Sequence, residues 1–208
     1  MKIGLVLAST PVYSETFFIS KIKGLLQQGH EVILFTQSKN EKFTLCKVKK
    51  AYPFFKGNVF FQFVWILVVF FKLGLQLKPV FTFIKLERKK RVKLIPLLKK
   101  LYSNAHILTR ELDWLHFGFA TMALGKEQVA KSIGAQMAIS LRGFDIAIYP
   151  IKHPGCYQLV WDKVDKVHTI SNDLLKSLNP QYKKEIIPQA NDKSYVLTLP
   201  IEMVNSYI

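Results

Sequence analysis

Hydrophobic residues along this chain fall into short continuous runs that are separated by stretches of helical period. Lys2–Ala8 is a run of strand length, and such unbroken hydrophobicity is typical of a parallel strand buried on both faces. A helix then ends at Gly29, and His30–Thr36 is a second strand. The apolar face of that helix carries Phe18, Ile22, Leu25 and Leu26. The pattern predicts a right-handed βαβ unit, and therefore an α/β fold with a Rossmann-like parallel sheet flanked by helices.

The stretch Leu112–Pro150 repeats this alternation in one compact segment. A strand that ends at His116 is followed by a helix over residues 119–133 and a strand over Ala135–Leu141. Ligands of open α/β sheets bind at the carboxyl ends of the parallel strands. We therefore expect the polar and glycine residues of these turns to converge on one crevice. They are His116, Gly118, Arg142 and Asp145.

Weaker patterns predict the remaining elements. They are a third strand over Phe43–Val48, a helix over Cys156–Trp161, a strand over Lys166–Ile170 and a last strand over Glu185–Pro188. The Rossmann-like domain is predicted to span residues 1–192, and residues 193–208 are expected to form a tail.

An apolar run over Val59–Leu77 is nearly long enough for a membrane span, which needs about 20 residues. Gln62, Lys72 and Gly74 interrupt the run, and both of its flanks are basic. A span here would also separate the first βαβ unit from the strands that complete its sheet. We expect this segment to be a core helix or to dip into one leaflet, and not to cross the membrane.

The net charge of +16 is concentrated in one part of the chain. Residues 39–100 carry 16 basic and 2 acidic side chains, a net charge of +14. Aromatic and aliphatic residues alternate with basic ones over residues 53–104, a mixture that favours an interfacial segment on anionic lipid. The residues predicted to bind the membrane are Trp65, Lys72, Arg88, Lys89, Lys90, Arg91 and Lys93.

Three other interpretations of this basic segment stay open. A solvated basic helix that covers the sheet would need no lipid. Nucleic acid would suit the charge but is disfavoured, because no recognised nucleic-acid motif is present and aliphatic neighbours suit acyl chains better than stacked bases. The third interpretation is that the chain is an integral membrane protein. We expect a cytoplasmic protein held peripherally on the inner face of the plasma membrane.

Cofactor and metal signals are missing from the sequence. The turn after the first strand lacks the G-x-G-x-x-G pattern, so nicotinamide and flavin cofactors are disfavoured. The histidines and the two cysteines have no metal-ligand spacing, and an N-terminus without a cleavable leader indicates the reducing cytoplasm. Ser14, Glu15 and Thr16 lie at a helix N-terminus, where they either bind a hydroxylated ligand or only cap the helix.

Six motifs occur in order along residues 1–192. They are Pro11–Phe17, Gly29–Val32, Leu115–Gly118, Arg142–Ile146, Ser171 and Ile187–Asn191. Together they resemble the amino-terminal half of retaining GT-B glycosyltransferases of family 4, in particular bacterial enzymes that build colanic acid and other exopolysaccharides.

The resemblance implies a domain that binds the acceptor, which is lipid-linked or a polysaccharide. A carboxy-terminal domain of the family binds the donor, a nucleotide sugar such as a UDP- or GDP-sugar, and no cofactor is expected in the acceptor domain itself. That donor-binding domain is expected to be absent here, so a separate domain or chain would complete a retaining hexosyltransferase. The alternative is a catalytically silent truncated remnant or a stand-alone acceptor-binding module.

The resemblance also suggests roles for single residues. Arg142 stands where many relatives have a histidine, and because arginine is no base at neutral pH we expect it to clamp a diphosphate. Asp145 would orient Arg142 or bind a sugar hydroxyl, and His116 would bind a hydroxyl or phosphate. A structural ion pair and a satisfied strand-end histidine are the alternatives. These three are the predicted catalytic residues, and the predicted acceptor-binding residues are Ser14, Glu15, Thr16, Gly118, Gly143 and Ser171.

Overall fold

A computed structural model describes residues 1–11, 16–38, 42–55 and 57–169, together with the backbone of residues 194–196. Its strands are β1 (Lys2–Val6), β2 (Glu31–Thr36), β3 (Lys47–Lys50), β4 (Trp114–Phe117), β5 (Gln136–Leu141), β6 (Lys166–Thr169) and β7 (Ser194–Val196). Its helices are α1 (Thr16–Gln27), α2 (Val59–Gly74), α3 (Leu77–Arg88), α4 (Leu94–Leu108), α5 (Ala120–Ala123), α6 (Val129–Ile133), α7 (Tyr149–Lys152) and α8 (Gln158–Lys163). A π-helical turn over Phe144–Ile148 precedes α7.

The strands form one parallel sheet in the order β3-β2-β1-β4-β5-β6-β7. The order reverses at the pair β1 and β4, which is the topological switch point where open α/β sheets form a crevice. The predicted fold class, a Rossmann-like parallel sheet flanked by helices, is confirmed.

The sheet separates two hydrophobic cores, because its central strands are buried on both faces. Helix α1 covers the smaller core through Phe18, Ile22 and Leu25. Helices α2 to α6 and α8 contribute to the larger core on the other face. The described side chains of α1 that are buried also include Lys21, a cation in the middle of an apolar stripe.

Several boundaries differ from the sequence-based expectation. The single helix expected over residues 119–133 is two short helices, α5 and α6, because Gly125 between them adopts a φ of 76° and donates its N–H to Glu127 Oε1. The third strand lies slightly later, at Lys47–Lys50. A strand at Ser194–Val196 extends the sheet in the segment expected to be a tail, whereas Glu185–Pro188 lies outside the described residues.

The apolar run forms α2, a surface helix that packs through a single stripe. Only Val69 and Leu73 of its described residues are buried, while Phe60 and Phe71 are each 72% exposed. No single helix in the described part of the chain is both long and apolar enough to cross a bilayer. Taken together, α2 and α3 have the length and composition of a membrane span, but they are bent by 105° at the break between them.

The close packing at Gly118, directly after β4, leads to a testable prediction. A Cβ at this residue would overlap Leu7 Cδ2 and lie 2.9 Å from two atoms of the Phe18 ring. Gly118→Ala should therefore lower the free energy of unfolding by about 1–3 kcal/mol, as overpacking of a filled core does. Urea denaturation measures this change.

Gly74→Ala is the matched control, because no atom lies within 4 Å of a Cβ at this helical position. We expect that variant to be neutral or up to about 1 kcal/mol more stable than the wild type. Equal effects of the two substitutions would contradict the packing role of Gly118.

Candidate functional site

A chain of polar side chains crosses strands β4 to β6 on the face that α1 covers. Lys21 Nζ lies 3.2 Å from both ring nitrogens of His116. His116 Nε2 lies 2.8 Å from Ser140 Oγ, which in turn lies 3.2 Å from His168 Nδ1. Ser140 and His168 are direct cross-strand partners, so the parallel register itself brings them together. We call these four residues the polar chain.

We assign one direction to the hydrogen bonds of the polar chain. In its ammonium form Lys21 donates to the Nδ1 lone pair of His116, whose Nε2–H then donates to Ser140 Oγ. These ring roles are assigned and are not read from the distances, because Lys21 Nζ lies 3.2 Å from both nitrogens. The Ser140 hydroxyl can then donate to His168 Nδ1. His168 is left with its proton on Nε2, a buried atom that has no hydrogen-bond partner among the described residues. The polar chain thus ends in an N–H donor.

Burial keeps the two histidines of the polar chain neutral. The pKa of His168 is lowered to about 3 by burial and by the charges of Lys21 and Arg142. Burial, the charge of Lys21 and His168 also hold the pKa of His116 well below its usual range. Burial and then the charge of Arg142 lower the pKa of Lys21 to about 7. Arg142, Lys21 in its protonated form and the Nε2–H donor favour an anionic or hydroxylated ligand over a cation.

Arg142 follows β5 and lies among three aromatic rings. Its guanidinium carbon is 4.8 Å from the ring centroids of Phe17 and Phe18 and 5.0 Å from that of Phe119. Such cation–π contacts hold the guanidinium in place; the residue as a whole is half-buried, and its Nε is buried. Arg142 is therefore positioned by stacking and can present donors at the end of β5.

Asp145 holds the backbone of the same turn. Its Oδ2 accepts the backbone N–H of Arg142 at 3.2 Å, and its Oδ1 accepts the N–H of Thr121 at 3.1 Å, at the start of α5. Burial raises the pKa of Asp145, while these backbone hydrogen bonds oppose the shift. The carboxylate joins the turn after β5 to α5, so it orients Arg142 through the main chain.

The predicted site residues occupy different environments. His116 is 2% exposed and lies inside the polar chain rather than on an open surface. Thr16 and Gly143 are exposed, and Gly118 is packed against Leu7 and Phe18. Ser14, Glu15 and Ser171 lie outside the described residues.

The predicted membrane residues divide into two groups. Trp65 is half-buried, with its ring centroid 6.0 Å from that of Tyr52. Lys90 is also half-buried, and its Nζ is buried. The side chains that are exposed are Lys72, Arg88, Lys89, Arg91 and Lys93.

Sequence reasoning missed three members of the polar chain. Lys21 interrupts the apolar stripe Phe18, Ile22 and Leu25, and this interruption was the available signal. Ser140 and His168 gave no signal alone, because their meeting depends on the register between β5 and β6. In the described ranges no group of three or more His, Cys, Asp or Glu side chains could hold a metal ion.

Comparison with solved structures identifies the fold. A sucrose-phosphate synthase from Thermosynechococcus elongatus matches with a TM-score of 0.50 and 10% sequence identity, over 100% of this chain and 95% of that chain. At this identity the likeness shows the fold alone. The fold is therefore that of the amino-terminal half of a GT-B glycosyltransferase.

Two further structures match with lower scores. MurG from Acinetobacter baumannii has a TM-score of 0.42 and 12% identity over 83% of this chain and 42% of that chain. The lipopolysaccharide outer core galactosyltransferase WaaB in its apo form has a TM-score of 0.43 and 14% identity over 94% of this chain and 45% of that chain. This chain therefore spans less than half the length of either protein.

Sequence comparison assigns no family. The family described as lytic transglycosylase MltD, LysM-like domain, matches residues 162–208, which is a minor part of the chain. Within that range Lys166–Thr169 forms β6, which pairs with β5 in the parallel sheet. No curated protein matches the sequence.

The depressed pKa of His168 predicts a pH-dependent stability. The folded-state pKa of about 3 lies below the usual value of 6.5, so the unfolded chain binds more protons as the pH falls below that value. The contribution of neutral His168 to the free energy of unfolding is fully present above pH 6.5 and is lost as the pH falls towards 3. Between pH 7 and 4.5 the wild type should lose up to about 2–3 kcal/mol of its free energy of unfolding through His168. His168→Gln should not show this part of the loss.

Urea denaturation at several pH values measures this difference. His153→Gln is the control, because it replaces an exposed histidine on the surface and should leave the pH profile as in the wild type. A His168→Gln profile parallel to that of the wild type would show that His168 is not held neutral by burial.

Proposed function

We propose that this chain is the acceptor-binding domain of a family-4-like GT-B glycosyltransferase that acts in exopolysaccharide or cell-envelope glycan synthesis. The domain binds a lipid-linked or polysaccharide acceptor, and a donor-binding domain or chain supplies the sugar from a nucleotide sugar. The proposal draws on the GT-B-type fold and on the six motifs that resemble this family.

The convergence of Arg142 with the polar chain at the carboxyl ends of β5 and β6 carries the proposal. The Phe17 ring connects them, since its centroid lies 4.8 Å from the Arg142 guanidinium carbon and 6.3 Å from the centroid of the His168 ring. A phosphate group would be attracted to the Arg142 guanidinium and to Lys21 in its protonated form, and an acceptor hydroxyl would accept a hydrogen bond from the Nε2–H of His168. In this role Arg142 and His168 contact the ligand, while Lys21, His116 and Asp145 position them.

The basic segment adds a membrane role to the proposal. Helices α2 and α3 expose apolar side chains that no described element covers, including Phe60, Phe63, Phe71 and Phe81 at 57–72% exposure. Exposed basic residues flank them at Lys72 and after α3. This combination suits the boundary of an anionic bilayer, where apolar rings enter the acyl region and ammonium groups stay with the head groups. We call these exposed residues the α2–α3 surface.

Glycosyl transfer tests the function directly. The chain is assayed alone and with any donor-binding domain that is encoded downstream, using radiolabelled nucleotide sugars and a lipid extract as acceptor source. We expect transfer that Arg142→Ala lowers roughly 10- to 100-fold in kcat/KM, because a charged hydrogen-bonding group contributes about 1.5–3 kcal/mol. Arg142→Lys should retain an intermediate rate, since lysine keeps the positive charge but lacks the planar set of N–H donors that binds a phosphate through two hydrogen bonds.

Lys131→Ala removes an exposed cation of α6 and should leave the transfer rate unchanged. Full activity of Arg142→Ala would refute the role of Arg142. If the folded wild-type chain transfers no sugar from any donor while a control enzyme is active, the result favours a catalytically silent truncated remnant over an active glycosyltransferase.

Vesicle binding tests the membrane role. A triple variant, Phe60→Ser with Phe63→Ser and Phe71→Ser, should bind phosphatidylglycerol-containing vesicles at least about tenfold more weakly than the wild type, because each buried phenylalanine contributes about 1.5–3 kcal/mol. Co-sedimentation with vesicles measures the partition coefficient.

The control is Ile151→Ser, which replaces a 77% exposed apolar residue outside the basic segment. Its binding should equal that of the wild type. If the triple variant also binds as the wild type does, the α2–α3 surface does not contact lipid.

A further inference from the structure

A second cavity lies at the same edge of the sheet, between the ends of β1, β2 and β3 and helix α4. Its volume is about 410 Å³, within the range of about 300–1,000 Å³ that small-molecule sites occupy. Thr36 and Lys50 contribute to its walls from strand ends, and His106 contributes from α4. None of the polar chain residues lines it, so it is separate from the crevice at Arg142.

Two buried polar side chains contribute to the wall of this cavity. They are Thr36 and His106, which are 2% and 7% exposed. Thr36 Oγ1 has no hydrogen-bond partner among the described residues, whereas the Ser103 backbone contacts the His106 ring. The His106 ring packs edge-on against Phe35, with centroids 5.8 Å apart, so its position is fixed. Buried polar groups are nearly always hydrogen-bonded in folded proteins, so a ligand that reaches Thr36 Oγ1 would supply its missing partner.

The charge of the cavity is positive. Lys50 and Lys126 line it, and no described lining residue is an aspartate or glutamate. Burial and then the charge of Lys126 lower the pKa of His106 to about 4, while the Ser103 backbone opposes this shift, so the ring is neutral at pH 7. An anion would therefore meet two ammonium groups and neutral hydrogen-bonding groups.

Aromatic residues form another part of the wall and connect it to α2. Tyr52 and Phe54 line the cavity, and the Phe54 ring centroid lies 4.8 Å from that of Tyr102. Two hydrogen bonds hold the loop that carries Tyr52 and Phe54 in place. Tyr102 Oη donates to the Pro53 carbonyl at 2.7 Å, and the Phe55 N–H donates to Gln62 Oε1 of α2 at 2.9 Å. The aromatic wall is thus preformed and continuous with the α2–α3 surface.

We infer that this cavity is a second binding site, and that it takes a phosphate ester of a hydroxylated ring. The phosphate lies between Lys50 and Lys126, the hydroxyl groups bond Thr36 and His106, and the ring packs against Tyr52. A soluble sugar phosphate and the head group of a phosphoinositide share this chemistry. The inference does not depend on glycosyl transfer, because binding is measured without a donor.

Calorimetry with the full chain tests the soluble source, with glucose 1-phosphate as the probe and inorganic phosphate for comparison. We expect glucose 1-phosphate to bind more tightly than phosphate. Lys50→Gln and Lys126→Gln should each weaken binding about tenfold, as the loss of one charge-assisted hydrogen bond does. Lys47→Gln removes the same charge from an exposed position of β3 that does not line the cavity, and it should change the affinity less than twofold.

Vesicles test the lipid source. Phosphatidylcholine vesicles that contain phosphatidylinositol are compared with vesicles of equal charge that contain phosphatidylglycerol, whose head group has no ring. A preference for phosphatidylinositol that Lys126→Gln abolishes and Lys47→Gln retains would support the site and identify a lipid head group as its ligand.

A third readout covers the case in which Lys126→Gln does not fold. On the wild-type chain, glucose 1-phosphate should shift the His106 ring resonances and leave those of exposed His153 unchanged. The inference is overturned if neither probe binds, if all three lysine variants lose binding equally, or if the ring resonances of His106 do not respond to a bound probe. Each of these results is independent of whether the chain supports sugar transfer.

Discussion

The burial of one lysine amino group shapes the edge of the sheet where ligands are expected to bind. Lys21 is 2% exposed on the apolar face of α1, and an ion taken out of water must be solvated by protein groups. His116 supplies the contact that the structure describes, and the next residues of β5 and β6 extend it. Without that series of contacts the α1 face of the sheet would be an ordinary apolar core. With it, a directional hydrogen-bond chain reaches from the core towards the crevice.

The two faces of the sheet carry different chemistry at the same edge. On the α1 face the polar chain and Arg142 provide fixed donors, with the guanidinium held by three aromatic rings. On the α4 face the second cavity combines two lysines with Tyr52 and Phe54 beside the exposed apolar side chains of α2. An acceptor with a lipid, a phosphate and a sugar would find a suitable surface for each part along this edge. The proposed function and the second site therefore describe neighbouring parts of one surface.

Much of the fold follows from the sequence pattern, because continuous apolar runs and glycine-terminated helices are local signals. The positions of His116, Arg142 and Asp145 at the carboxyl ends of β4 and β5 follow from the same pattern together with the geometry of parallel sheets. Ser140 and His168 were missed because cross-strand register is not a local property. Trp65 and Lys90 are half-buried although hydropathy and charge suggested lipid contact, since helix packing decides which way each side chain points.

The central claim is that the polar chain is preformed, with both of its histidines neutral and with fixed tautomers. Nitrogen-15 NMR of histidine-labelled chain, titrated from pH 8 to 5, measures this directly. We predict that His168 keeps one protonated nitrogen, Nε2, across the whole range, in line with a pKa of about 3, and that His116 also stays neutral. Titration of either ring near its usual pKa of about 6.5, or rapid exchange between tautomers, would contradict the account.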